Sequence, residues 1–118
     1  MSEQYEHTVE VYELRLDHPS EPLGALLRRF VVNAPDTKVA LHSGVDATKA
    51  SPPAEHYFVV VFQGGLSTRI AKPAGWVGTY TVEQWSQIRD AVGGLDAVMK
   101  LVANHCRAAK GLPERTYH

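Results

Sequence analysis

Six histidines, one cysteine and scattered carboxylates are the residues of this 118-residue chain best suited to chemistry near neutral pH. A site built on histidine needs two or three rings to converge, either to exchange protons or to ligate a metal. His42 and His56 are one such pair. Each is expected at a strand boundary, on either side of the loop spanning residues 44–55, so pairing of those strands would bring the rings together. His105 is expected at the rim of the last helix, and His118 is terminal.

The stretch His42-Ser43-Gly44-Val45-Asp46 holds the residue types of a hydrolase triad. Neighbours in one short stretch do not form the relay in which base and nucleophile must meet, so no catalytic residue is assigned there. Cys106 lies on an apolar helical stripe. A thiol nucleophile needs exposure and a lowered pKa, whereas that stripe predicts a core position.

Phosphate-binding glycine loops, the dinucleotide fingerprint, the zinc-protease motif and the nucleophile elbow are all missing from the sequence. One cysteine supports neither an intrachain disulfide nor a thiolate metal cluster. No cofactor and no metal are therefore expected. Arg69 and Lys72 lie near Trp76 and Tyr80, a mixture that can bind single-stranded nucleic acid on a sheet. Only two bases occur between residues 66 and 80, which argues against it.

The elements that must position these residues read as follows. Residues 7–16 (HTVEVYELRL) are rich in β-branched and aromatic types and predict a strand. Tyr5, Val9, Tyr12 and Leu16 also fall at helical spacing, so a helix over this stretch is the rival. Residues 21–33 place Leu23, Leu26, Leu27, Phe30 and Val31 on one helical stripe after Ser20 and Pro22, and predict a helix. Residues 37–42 predict a short strand. Over residues 56–72, HYFVVVFQ and LSTRIAK flank Gly64-Gly65 and predict a two-residue β-hairpin, with Val60 opposite Arg69 and Val61 opposite Thr68. Thr81 and Gln84 have capping-box spacing ahead of a helix over 81–92, which Gly93-Gly94 ends. A last helix covers 95–110, before Gly111 and Pro113.

The expected fold class is therefore α+β: an antiparallel sheet of about four strands, with two C-terminal helices and a further helix at residues 21–33 packed on it. The expected element order is β-α-β-β-β-α-α. Length, 44% hydrophobic and 21% charged content fit one folded domain over residues 1–118. The longest apolar run, Tyr57 to Phe62, falls far short of the ~20 residues that span a bilayer. No secretory leader is visible, and the expected location is the cytoplasm.

The net charge of −1 conceals a gradient. Residues 1–21 carry six acids against one base, and the remainder carries eleven bases against seven acids. A near-neutral chain lacks the basic excess of a phosphate-gripping domain, which argues against nucleic acid as the partner.

The strand at Tyr57–Phe62 is apolar on both faces, and such a strand is normally covered on both sides. One cover is the pair of C-terminal helices; the other is the 21–33 helix, more sheet, or a partner. If a partner covers it, Phe58, Val60, Phe62 and Arg69 form the interface. The first functional expectation is thus a small non-enzymatic binding module acting by protein–protein contact, as regulator, adaptor or inhibitor, with a second copy of itself as one partner. The alternative is a small-molecule binder or enzyme whose pocket lies between sheet and helices, with His42, His56, Arg69 and Trp76 at its mouth. A weak nucleic-acid binder is the third reading.

Overall fold

A computed structural model describes residues 3–109. The chain runs β1 (Tyr5–Leu14), β2 (Leu23–Ala34), α1 (Thr37–Ala50), β3 (Tyr57–Gln63), β4 (Gly75–Gly78), α2 (Val82–Val92) and α3 (Leu95–Ala109). The four strands form one antiparallel sheet in the order β2-β1-β3-β4. The α+β class, the four strands and the two C-terminal helices agree with the sequence reading. The observed order is β-β-α-β-β-α-α, which corrects the middle of the chain.

Residues 21–33 are not a helix but most of β2. Its partner β1 satisfies one edge along nearly its whole length, from Tyr5 opposite Ala34 to Leu14 opposite Leu23. The register slips between Val11 and Tyr12, and again between Tyr12 and Leu14. Each slip inserts extra β2 residues, as bulges do. Leu27 is passed over at the first, while Leu23 and Leu26 fall opposite Leu14 and Tyr12. Leucines from both sides of a bulged strand thus mimic the 3.6-residue stripe of a helix.

The expected strand at 37–42 is the first half of α1, and 44–50, expected as loop, is its second half. Asp36 caps the helix by accepting from the Val39 N–H at 2.9 Å. Its buried stripe is Ala40, Gly44 and Thr48. Small side chains give little hydrophobic signal, yet they let the helix lie close on the sheet. A Cβ at Gly44 would sit 2.9 Å from Val9 Cγ1, so only glycine fits at this approach.

The hairpin at Gly64-Gly65 is also absent. The chain turns there, with Thr68 N–H donating to Gly65 O at 3.2 Å, and leaves the sheet until Gly75. The strand beside β3 is β4, so Val60 faces Trp76 and Val61 faces Gly75, not Arg69 and Thr68. Residues 66–72 are mostly polar, while β3 is buried from Tyr57 to Phe62. A strand apolar on both faces belongs inside the sheet, between β1 and a short edge.

Both faces are covered by the chain itself. Val9, Val11, Tyr57, Val59 and Val61 pack under α1, with Ala34 and Ala40. Tyr12, Leu14, Phe58, Val60 and Phe62 pack under α2 and α3, against Val98, Val102 and Cys106. Each such apolar side chain contributes about 1.5–3 kcal/mol on burial. The two C-terminal helices follow the sequence closely. Thr81 and Gln84 form a reciprocal capping box, and Gly93 ends α2 with φ 116°, where an L side chain would be strained. Lys110, Gly111, Pro113 and His118 lie outside the described residues.

Candidate functional site

Charge meets the core on the α3 face of the sheet. Even-numbered residues of β1 point to that face, so Glu10 lies among Tyr12, Val60 and Phe62 and is fully buried. A carboxylate there requires partners. Arg29 lies directly opposite on β2, with Nε and Nη2 at 2.9 and 2.8 Å from Glu10 Oε2. The Tyr12 hydroxyl donates to Oε1. Arg69 arrives from the segment between β3 and β4. Its guanidinium lies 4.0 Å above the Phe62 ring, and its Nη1 is 3.6 Å from Glu10 Oε2. Neither Nη atom of Arg69 meets an acceptor at hydrogen-bonding geometry.

This cluster does not resemble a reactive centre. Burial is the main cause raising the Tyr12 hydroxyl above its ordinary value, reinforced by Cys106 and Glu10. Burial also pushes the Cys106 thiol up to about 12; Glu10 adds to that, while the Tyr12 hydrogen bond and the two arginines oppose it. At neutral pH the thiol holds its proton, and its side chain is inaccessible. The arrangement ties β1, β2 and the 66–74 segment together.

The residues expected as an interface lie within this layer. Phe58, Val60 and Phe62 are 3% exposed or less, and Arg69 is 8% exposed. The chain's own α2 and α3 cover them, so they offer no surface to a partner. The four residues expected around a pocket do not converge either. His42 is exposed on α1, which packs against one face of the sheet. Arg69 and Trp76 lie on the opposite face. His56 follows α1 and precedes β3; its Nε2 is 3.8 Å from Glu55 Oε1. His42 lies eight residues before the end of α1, about 12 Å along the helix axis. The strands that were to join the two rings are a helix and a strand. Ser43 and Asp46 are likewise exposed on α1.

Two other histidines hold structural positions. His105 Nε2–H donates to Gly24 O at 2.6 Å, and its ring meets Tyr12 edge-on at 5.3 Å. His7 is 3% exposed, and its Nδ1–H donates to Tyr5 O at 2.9 Å. It borders the largest cavity described, about 700 Å³, between the start of β1, the start of α1 and the turn after β3. Glu6 and Asp36 also line this wide opening. Among the described residues, no three potential ligands gather to hold a metal ion. Sequence reasoning did not place His7, because its neighbours come from three distant segments.

Two further features lie at opposite edges of the sheet. Among the described residues, no second strand pairs with the outer side of the 12-residue β2. At the other edge, Pro73 and Trp76 face Met99 and Ala103 of α3 across a cleft of about 320 Å³. Trp76, one of the residues expected around a pocket, does line this cleft. No helix among the described residues is long and apolar enough to cross a membrane. Compared with protein-family models, curated proteins and solved structures, the chain matches none.

Proposed function

We propose that this protein is a non-enzymatic binding module acting by protein–protein contact, with the outer edge of β2 as its docking surface and a second copy of the chain as its partner. The observation that carries the reading is the contrast between the two sheet edges. β4 is four residues long and has glycine at each end, a blunt edge. β2 is 12 residues long, about 40 Å. Beyond its bulges, Arg28 to Ala34 pairs with β1 in unbroken register, and among the described residues no further strand adds to its outer side. This stretch contains neither proline nor lysine, and its two charged residues, Arg28 and Arg29, stand together at one end of it.

Phe30, Val31 and Val32 are each only partly buried, so a further strand would remove apolar surface from water as well as satisfy backbone groups. Charge permits the match with a second copy in one register. Antiparallel pairing about a twofold axis at Val31 sets Arg28 opposite Ala34 and Arg29 opposite Asn33. A twofold axis at Arg28 or Arg29 would set arginine against arginine. The resulting dimer has one continuous eight-stranded sheet. A reducing cytoplasm suits a chain whose one cysteine is buried and unpaired.

Sedimentation equilibrium combined with cysteine cross-linking tests the proposal. A dimer is expected, and Val31→Cys should form an intermolecular disulfide on mild oxidation, while Val82→Cys, on exposed α2, should not. Val31→Lys should yield a folded monomer with unchanged far-ultraviolet circular dichroism. A wild-type monomer throughout the concentration range, or a dimer indifferent to Val31→Lys, would overturn the β2 interface.

A further inference from the structure

The cleft beside β4 is independent of the β2 edge, because the two lie on opposite sides of the sheet. Its shape follows from how α3 is laid down. The helix turns Val98, Val102 and Cys106 onto the sheet. Met99 and Ala103, one position further round, flank that stripe, and Met99 remains 40% exposed. Opposite them stand Trp76 on the last strand and Pro73 just before it. Behind Trp76 is the Phe58 ring, 6.2 Å between centroids, which fixes the indole in place. The walls are therefore apolar and largely preformed.

The rim is charged. Lys72 lies on the sheet side and Lys100 on α3, with Asp96 one turn before Lys100. Among the described residues, no acid lies within ion-pair distance of either lysine, and the Trp76 indole N–H donates to no described residue. Two ammonium groups against one carboxylate leave the mouth net positive. The volume of about 320 Å³ falls at the small end of ligand pockets.

We infer that this cleft binds a small aromatic carboxylate. A flat ring system of one or two rings slides between Trp76 and Met99, gaining aromatic and sulfur–aromatic contact. Its carboxylate remains at the mouth, where Lys72 and Lys100 neutralise it and the indole N–H can donate to it. The charge selects the acid over a neutral molecule of equal shape. Asp96 repels a dianion more strongly than a monoanion.

The probe is 2-naphthoate, titrated into the full chain carrying Trp85→Phe, so that Trp76 alone reports by fluorescence. Saturable quenching is expected, with a Kd of about 1 mM or tighter for a ligand of this size. The neutral alcohol 2-naphthalenemethanol should bind about tenfold more weakly, a difference of about 1.4 kcal/mol. The paired substitution Lys72→Gln and Lys100→Gln should abolish that preference while leaving binding of the alcohol unchanged. Both lysines are exposed, so the variant should fold. Amide chemical-shift changes should concentrate at residues 72–76 and 96–103. Equal affinity for acid and alcohol, an acid preference that survives loss of both lysines, or shifts centred elsewhere would overturn the inference. So would failure of 2-naphthoate to saturate.

Discussion

Removing Arg29 should be far more damaging than removing Arg69, although both guanidinium groups reach the same carboxylate oxygen. Arg29 contributes two nitrogens at 2.9 and 2.8 Å to Glu10 Oε2, with its side chain 3% exposed. Without it, a fully buried carboxylate retains a tyrosine hydroxyl and a guanidinium at 3.6 Å. Breaking a buried pair in this way costs about 3–5 kcal/mol. Arg69→Met differs. It forfeits the contact with Phe62, about 2 kcal/mol for a desolvated cation over a ring. It also removes two buried nitrogens without acceptors, a burden of about 1–3 kcal/mol. These two effects nearly cancel, and with the longer 3.6 Å ion pair to Glu10 also lost the net change should be a loss of no more than about 1 kcal/mol.

Urea unfolding followed by circular dichroism separates these cases. With a slope near 2 kcal/mol per molar, Arg29→Met should lower the midpoint by about 2 M and Arg69→Met by less than about 0.5 M. Replacing the whole set by Glu10→Leu, Arg29→Met and Arg69→Met should restore or exceed wild-type stability, since apolar replacement of a buried ionic set is neutral or stabilising by about 1–4 kcal/mol. Equal losses from the two single arginine substitutions would refute the reasoning. A triple variant as unstable as Arg29→Met would refute it too.

Three further outcomes are expected. Gly44→Ala should destabilise the chain by about 1–3 kcal/mol, because the new Cβ would meet Val9 Cγ1 at 2.9 Å, and Val9→Ala should recover part of the loss in thermal melts. Thr81→Ala should cost about 1 kcal/mol by removing the hydroxyl that accepts from Gln84 N–H, readable as a lower urea midpoint. The unfolded chain releases its thiol proton near pH 9.0, whereas folded Cys106 keeps it until about 12. Stability fully present below pH 9 should therefore fall by about 1 kcal/mol between pH 9 and 10, and Cys106→Ala should flatten that interval in urea midpoints.

Where local chemistry alone decides an element, the sequence was a good guide. The Thr81–Gln84 box and Gly93 place α2 without reference to the rest of the chain. The stripe Val98, Val102, Cys106 likewise marks the inner face of α3. The two-sided apolar strand pointed to a sheet covered on both faces. Its second cover was misassigned, because α1 buries alanine, glycine and threonine in place of leucine. β2 was hidden by its bulges, which shift leucines between faces and imitate a helix. Trp76 lines a cleft, but without His42, His56 or Arg69, the residues it was expected to join. The wall opposite it was not legible, since Met99 read as part of the core stripe of the last helix. The His42–His56 pair rested on strands at both positions and disappeared when one became α1.

The charge cluster ties together positions far apart in the sequence. Glu10, Arg29 and Arg69 come from three separate segments, yet none can change charge without altering the energy of the other two. A lineage drifting from this sequence would retain Glu10 and Arg29 together or lose them together, passing through a weakened intermediate on the way. Position 69 has more latitude, since its guanidinium is the less firmly held. Joint replacement at 10 and 29, with looser change at 69, is the record that such a clamp would leave among descendants of this chain.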